Sequence, residues 1–236
     1  MKQGTVYLIP NIIADNTQAR VIPPLVLQVL PGIKYFLAED VRTARRYFSS
    51  LNIFSSIEIL QFQVLNKDTE AATLPSLFSP VFDGNDVGIV SEAGCPGIAD
   101  PGALAVKFAH DNNIRVVPLV GPSSLLLALM ASGLNGQRFA FHGYLPIDKG
   151  EFSRTIRELE KESRKNVQTQ IFIETPYRSD STLRMLLEAL RGETLLSVAS
   201  NLTSTQESVF TCSVSKWKSK SKTLGKVPVV FSILAV

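Results

Sequence analysis

Residues Val90 to Gly102 read VSEAGCPGIADPG, with three glycines and two prolines between an apolar run and a helix-like one. Glycine lets backbone amides come close to a ligand, and proline stiffens a loop without adding donors. A connector rarely needs so many of both, so the stretch reads as a binding loop. Asp100 is placed to cap the following helix, with Pro101 at its first position; direct ligand contact is the other role open to it. Val116 to Ser124 (VVPLVGPSS) repeats the passage from strand into helix. There Ser123 or Ser124 would cap a helix start whose free amides suit a carboxylate. The two helix starts would then face one crevice.

Several chemistries are excluded. No G-x-x-x-x-G-K-[ST] occurs, and no G-x-G-x-x-G follows the first strand-like run, so neither stretch is a nucleotide-phosphate motif. G-x-S-x-G is absent as well, which removes the common serine-hydrolase reading. His110 and His142 are the only histidines. The first ends a predicted helix, where a cation is favoured, and the second ends a predicted strand beside Gly143-Tyr144. Cys95 and Cys212 match no metal spacing and build no disulfide framework, so no metal site is expected and both read as reduced thiols of a cytoplasmic protein.

Short β-branched runs at Thr5–Ile9, Ile33–Ala38, Ile57–Leu60, Val87–Val90 and Ile114–Leu119 alternate with helical spacing at Gln18–Leu30, Val41–Leu51, Glu70–Phe82 and Ala103–His110. That alternation predicts a mostly parallel sheet covered on both faces, with ligands at the carboxyl ends of its strands. After a helix at Ser123–Ala131 come strands at Arg138–His142, Thr169–Glu174, Leu195–Ser200, Val209–Val214 and Val229–Val236, with helices at Glu151–Ser163 and Ser179–Leu190. The last two strands are separated only by a short basic segment, which predicts a mixed sheet. The expectation is two α/β domains, residues 1–120 and 121–236, with a cleft between them. Composition agrees with globular structure: 45% of the 236 residues are apolar and 19% charged, and a net charge of +3 leaves nucleic-acid binding open without pointing to it. The apolar runs are too short for a membrane span, and the N-terminus lacks a signal-peptide pattern. Asn201-Leu202-Thr203 is therefore read as a chance sequon.

The run from Val87 to Leu145, with SEAGCPGIADPG, VVPLVGPSSLLLALMASGL and RFAFHGYLP, carries a specific likeness. Gly4-Thr5-Val6-Tyr7, Ala38-Glu39-Asp40-Val41-Arg42 and Glu174-Thr175-Pro176-Tyr177-Arg178 extend it in order over nearly the whole chain. These segments resemble the ribosomal RNA small-subunit methyltransferase I family, within the tetrapyrrole methylase superfamily of S-adenosylmethionine-dependent methyltransferases. The resemblance implies two α/β domains with S-adenosylmethionine folded in the cleft between them. It implies that Ile9 and Pro10 border the cofactor and that Gly94, Cys95 and Ile98 embrace it, threonine or aspartate being usual at Cys95. It further implies that Ser123 and Ser124 hold the amino-acid end, that Glu174 is the first contact from the C-terminal domain, and that the backbones of Leu202 and Val229 meet the adenine. Two segments depart from the family. Ile9-Pro10-Asn11-Ile12-Ile13-Ala14-Asp15 lacks the glycine of the first loop, and Ser200-Asn201-Leu202-Thr203-Ser204-Thr205 lacks the acid and both basic residues of a late run. The second loss lies on the substrate side.

A sulfonium methyl donor is already activated, so the protein has to align the acceptor and exclude water. A hydroxyl acceptor also needs a proton acceptor, for which Glu39, Asp40 and Glu174 are candidates; Arg42, Tyr177 and Arg178 are candidates for positioning the acceptor. Helix capping is the alternative role for Glu39 and Asp40, and a surface charge for Arg42. Arg42, Arg45, Arg46 and Tyr47 form one candidate RNA patch, and the lysines 216, 218, 220 and 222 around Trp217 form another; a solvated helix face and a charged loop are the alternatives. The expected activity is 2′-O-methylation of small-subunit ribosomal RNA. Methylation of a small molecule such as a tetrapyrrole, and a non-catalytic binding role, stay open beside it. A homodimer is expected from exposed-looking apolar runs such as Leu125-Leu126-Leu127 and from the pairing of relatives.

Overall fold

The computed structural model describes residues 2–220 and 223–235. The chain divides into two compact units, Met1–Ser123 and Ser124–Val236. The first contains β1 (Thr5–Ile9), α1 (Gln18–Val21), α2 (Pro24–Val29), β2 (Tyr35–Ala38), α3 (Val41–Ser50), β3 (Gln61–Val64), α4 (Leu74–Leu77), α5 (Ser79–Phe82), β4 (Val87–Val90), α6 (Gly102–Asp111) and β5 (Arg115–Pro118). Its sheet runs in the order β3-β2-β4-β1-β5, and every pairing is parallel. Side chains alternate across it. Ile9, Phe36 and Val90 enter a core with Val26, Leu30 and Phe48 on one face. Val6, Leu37, Val87 and Ile89 enter a core with Phe78, Ala105 and Ala109 on the other. A buried parallel sheet of this kind reads as continuous apolar runs, as β4 does.

Three elements of this unit differ from the sequence reading. The expected strand at Ile57–Leu60 is a 3-10 turn over Ile57–Ile59, and the strand follows it at Gln61–Val64. The Ser56 side chain accepts from the Glu58 amide and starts that turn. The true strand is an edge strand paired only with β2, so its exposed Gln61 and Gln63 hide it from an apolar pattern. The expected helix at Glu70–Phe82 is instead a 3-10 turn followed by α4 and α5, with Pro75 and Pro80 in their first turns. Likewise Pro23-Pro24 splits the expected helix at Gln18–Leu30 into α1 and α2. A proline ring removes one helical hydrogen bond and crowds the preceding turn.

The second unit opens with α7 (Ser124–Ser132) and continues through β6 (Phe139–Tyr144), α8 (Lys149–Asn166), β7 (Thr169–Glu174), α9 (Ser179–Ala189), β8 (Leu195–Ser200), β9 (Ser208–Ser213), α10 (Val214–Lys218) and β10 (Val229–Leu234). Its order is β6-β7-β10-β8-β9; β6 and β7 are parallel, and the remaining pairs are antiparallel. The sheet is mixed as expected, by a different route: β9 pairs with β8 as a hairpin, and β10 inserts between β7 and β8. On one face α7 packs Ala128 and Leu129 against Ile171, Ala199 and Val230. On the other, α8, α9 and α10 bury Phe152, Ile156, Leu183, Leu186 and Trp217 against Phe172 and Phe231. Among the described residues no helix is long and apolar enough to cross a membrane.

Candidate functional site

In the first sheet β1 leads to β2 across β4, while β4 leads to β5 across β1. Right-handed crossovers of opposite direction put the following helices on opposite faces. The carboxyl ends of β1 and β4 are therefore where a crevice opens and ligands bind in such sheets. The segments there are Pro10 to Ile13 and Ser91 to Pro101, the two that the sequence reading singled out for cofactor contact.

Their backbones are joined. Asn11 and Gly94 exchange amide-to-carbonyl hydrogen bonds, Asn11 N to Gly94 O at 2.8 Å and Gly94 N to Asn11 O at 3.2 Å. The Asn11 side chain, 1% exposed, donates through Nδ2 to the carbonyls of Ser91 (3.0 Å) and Glu92 (2.9 Å), and its Oδ1 accepts from the Ile12 amide at 2.8 Å. Asn11 thus clamps the glycine-rich loop, a role the sequence reading missed. Its signal was the departure from the family's first loop, read there only as a lost glycine. The Tyr47 hydroxyl donates to the Pro10 carbonyl at 2.8 Å, and burial pushes that phenol's ionisation well above its usual range.

The loop has left-handed backbone at Gly94 (φ 72°) and Gly97 (φ 83°), and also at Ala99 (φ 62°), which pays a steric cost that glycine avoids. The Asp100 carboxylate holds it closed, Oδ1 accepting from the amides of Gly97 and Gly102 at 2.7 Å each. Asp100 was expected as the N-cap of a helix with Pro101 at its first position. The helix instead begins at Gly102, with Pro101 at the cap. Asp100 sits one residue earlier and uses its carboxylate to turn the loop. The Cys95 thiol donates to the carbonyls of Pro122 (3.4 Å) and Gly121 (3.7 Å), and burial, with Asp100 beside it, raises its pKa. Cys95 is therefore a protonated strut between this loop and the one after β5. Ile98 and Val120, 49% and 74% exposed, present apolar surface at the same end of the sheet. Ser123 follows outside any helix or strand, and Ser124 opens α7.

Four carboxyl groups, those of Glu39, Asp40, Glu92 and Asp100, lie in or beside the loop. Glu39, at the end of β2, donates its amide to the Val90 carbonyl and accepts through Oε2 from the Glu92 amide at 3.1 Å. Burial raises its pKa most. The Glu92 hydrogen bond opposes that, and the charges of Glu92, Asp100 and Asp40 add to the rise. Asp40 is lowered by the Thr43 amide, which its side chain caps at 2.7 Å. A pair whose environments push the two groups apart is the pattern of an acid/base residue beside a structural one. On that basis Asp40 is the cap of α3 and Glu39 the proton-transfer candidate. Arg42 is exposed on α3.

The remaining expected site residues lie in the second unit. Glu174 is buried, its carboxylate accepting from Thr175 N at 2.8 Å and Thr182 Oγ1 at 2.9 Å and pairing with Arg178 at 3.2 Å. Both members of that pair are occupied within their own unit, which opposes catalysis by Glu174 and acceptor positioning by Arg178. Tyr177 is 82% exposed, with the Lys226 ammonium over its ring. Leu202 and Val229 have buried side chains, so contact through their backbones is the one route open to them. His142 meets Gln170 at 2.6 Å. Trp217 is a core residue, its Nε1 donating to the Leu196 carbonyl at 2.8 Å. That corrects its assignment as an aromatic in an RNA patch. Tyr47 is corrected in the same way, and Arg45 is paired with Glu58 at 2.5 Å. Lys222 lies outside the described residues. Among the described residues no group of three or more metal-ligating side chains converges.

The model of the tetrapyrrole (corrin/porphyrin) methylases matches residues 19–217. A protein of Thermotoga maritima named ribosomal RNA small subunit methyltransferase I is 34% identical over 209 residues, 87% of this chain and 89% of the relative. A protein of the same name from Buchnera aphidicola is 28% identical over 222 residues, 93% of this chain and 74% of the relative. The crystal structure of the methyltransferase CobJ superposes with a TM-score of 0.62 over 99% of this chain and all of that one, at 14% identity, a likeness of fold alone. With the motif matched along most of its length and the joined loops at the head of a parallel sheet, this chain belongs to the tetrapyrrole methylase family and is a methyltransferase.

Proposed function

We propose that the chain transfers the methyl group of S-adenosylmethionine to a ribose 2′-hydroxyl of small-subunit ribosomal RNA in the cytoplasm, and that it works as a homodimer. The observation that carries the cofactor part is the clamped loop Gly94–Gly102 at the switch point of the parallel sheet. Ile9, Pro10, Gly94, Cys95 and Ile98 would hold the cofactor there. Ile98 and Val120 offer it apolar surface, and Ser123 and Ser124 would receive its amino-acid end. The carboxyl groups of Glu39, Glu92 and Asp100 suit the positive charge of a sulfonium. Glu174, Leu202 and Val229 stay in the proposed set, the latter two through backbone. The names of the relatives carry the RNA part.

When bound, S-adenosylmethionine supplies an activated methyl group. The chain's own residues have to orient the acceptor, exclude water and take up its proton. Glu39 is the proposed proton acceptor, its raised pKa bringing it closer to neutrality than an ordinary carboxylate. Arg42 and Tyr177, exposed and uncommitted to a carboxylate, are proposed to position the acceptor. The dimer is supported by α7, which buries Ala128 and Leu129 yet leaves Leu126 and Met130 exposed one turn apart, Met130 by 78%.

Calorimetric titration with S-adenosylmethionine tests the cofactor site. Gly94→Val puts a branched side chain at φ 72°, where it is strained. The expected result is a folded variant with affinity reduced about tenfold or more, from a loop displaced by roughly 1 Å. A folded variant with unchanged affinity would move the site elsewhere.

A further inference from the structure

The strongest uncommitted charge on the second unit lies along α8. Arg154, Arg157, Lys161 and Arg164 recur at spacings of three and four, so they occupy an arc of about 80° on the helix and a length of about 15 Å. Glu151, Glu158 and Glu162 fall on the adjoining flank, and Phe152, Ile156 and Ser163 face the core. The stripe borders a groove against α9, an opening of about 460 Å³ to which Lys149, Arg157 and Arg184 contribute cations and Glu188 a carboxylate. A second opening of about 490 Å³ continues along α8 past Lys161 and Arg164 to Arg191. The buried acid there, Glu160, is occupied by the Arg191 amide and the Thr194 hydroxyl. Arg164 pairs with Glu193 at 3.1 Å. Among the described residues no carboxylate pairs with Arg154, Arg157, Lys161 or Arg184.

A solvated helix ordinarily pairs such charges with acids one turn away. Here Glu158 stands one turn from both Arg154 and Lys161 and pairs with neither, and the like charges of Arg157, Lys161 and Arg164 stand about one turn apart along α8, an arrangement that repels itself until a polyanion neutralises it. We propose that the exposed basic face of α8, together with the α8–α9 groove beside it, is a track for an RNA backbone, with Arg157 and Arg184 meeting phosphate in the groove, Lys161 in the opening that continues from it, and Arg154 on the outer side of α8. The inference rests on the reading of RNA as the acceptor and adds to it the surface that holds the chain. Side chains one turn apart on α8, with Cβ atoms about 5–6 Å apart, can each reach a separate phosphate of a strand that carries one charge per nucleotide. None of the groups is aromatic, so the contact fixes register and affinity and reads no sequence. It also supplies basic residues that the late run near Thr203 lacks.

The test compares the full-length chain with an Arg154→Glu, Arg157→Glu, Lys161→Glu variant, all three side chains being exposed and unpaired, and with the corresponding glutamine variant. The probes are a fluorescent single-stranded RNA oligonucleotide and small-subunit ribosomal RNA, titrated across a salt series. The glutamate variant is expected to bind RNA at least about tenfold more weakly. Its slope of log affinity against log salt should be shallower by about 2, from three lost contacts at roughly 0.7 each. The glutamine variant should shift the same way by less, and S-adenosylmethionine affinity should be unchanged in both. Wild-type RNA binding that the glutamate variant reproduces in affinity and slope would overturn the track and leave the acceptor reading standing. Absence of RNA binding and of methyl transfer to RNA by the wild type would overturn both. Loss in the variant of binding to phosphatidylserine vesicles, with RNA binding intact, would overturn the track in favour of a lipid surface.

Discussion

Asn11 and Glu39 do opposite things with a buried polar group. Asn11 is fully hydrogen-bonded and spends both ends of its amide on the loop it clamps. Asn11→Ala would remove the side-chain donor from the buried carbonyl of Ser91 and from the part-buried one of Glu92, at a cost of about 1–3 kcal/mol for a buried acceptor left fully unmet. Urea unfolding of the variant should lose about 2 kcal/mol or more, and cofactor affinity should fall with it; Asn11→Asp, which aims an acceptor at two carbonyls, should be worse. Glu39 carries a raised pKa, so its protonated form is favoured by the folded chain. The stability it contributes is present below the ordinary carboxylate value and is lost as pH rises through the raised one. Glu39→Gln should remove that decline, leaving the fold at neutral pH no less stable than before, while methyl transfer falls about a hundredfold. Wild-type activity should rise with pH through the same window. A variant that keeps full activity over the whole pH range would strip Glu39 of its role. Neither residue's state was legible in the sequence. Burial and neighbouring charge set both, and they come from segments as far apart as Glu39, Glu92 and Asp100.

At the scale of elements, the glycine-rich loop and the turn after β5 were legible because backbone geometry demands particular residues there. Gly121 is the clearest case. A side chain at this position would place its Cβ 2.0 Å from the Pro10 Cβ, so the loops after β1 and β5 can pack only if one of them is glycine. Gly121→Ala should destabilise the first unit by about 1–3 kcal/mol, read from the urea midpoint at unchanged slope. The parallel sheet was legible from its apolar runs, whereas the edge strand β3 was hidden by its own exposure, and helices 18–30 and 70–82 were overrun at prolines. Trp217 was misread for a different reason: lysines on either side of it in sequence say nothing of its own burial. Trp217→Ala should cost the second unit about 3–5 kcal/mol, measured by thermal or urea unfolding. Trp217→Phe should leave RNA affinity unchanged; a selective loss of RNA binding in a folded variant would restore a recognition role. The basic face of α8 escaped notice because Glu151, Glu158, Glu160 and Glu162 cancel it in linear sequence, and only the helical period separates the signs.

For the whole molecule, two α/β units of unlike sheet type follow from two patterns in one chain: strand–helix alternation through residue 118, then a hairpin and an inserted final strand. The proposed self-association is assigned to the exposed Leu126 and Met130 on α7. Sedimentation at micromolar concentration should give a dimer, and Met130→Glu should shift it toward monomer; a wild type that sediments only as monomer would contradict the dimer. The central claim, methyl transfer to ribosomal RNA, is tested most directly by incubating the chain with methyl-labelled S-adenosylmethionine and unmethylated small ribosomal subunits, then digesting the RNA to nucleosides. The account predicts label in a 2′-O-methylated nucleoside, reduced about a hundredfold by Glu39→Gln. Cofactor binding of normal affinity with no label in any RNA nucleoside would contradict it.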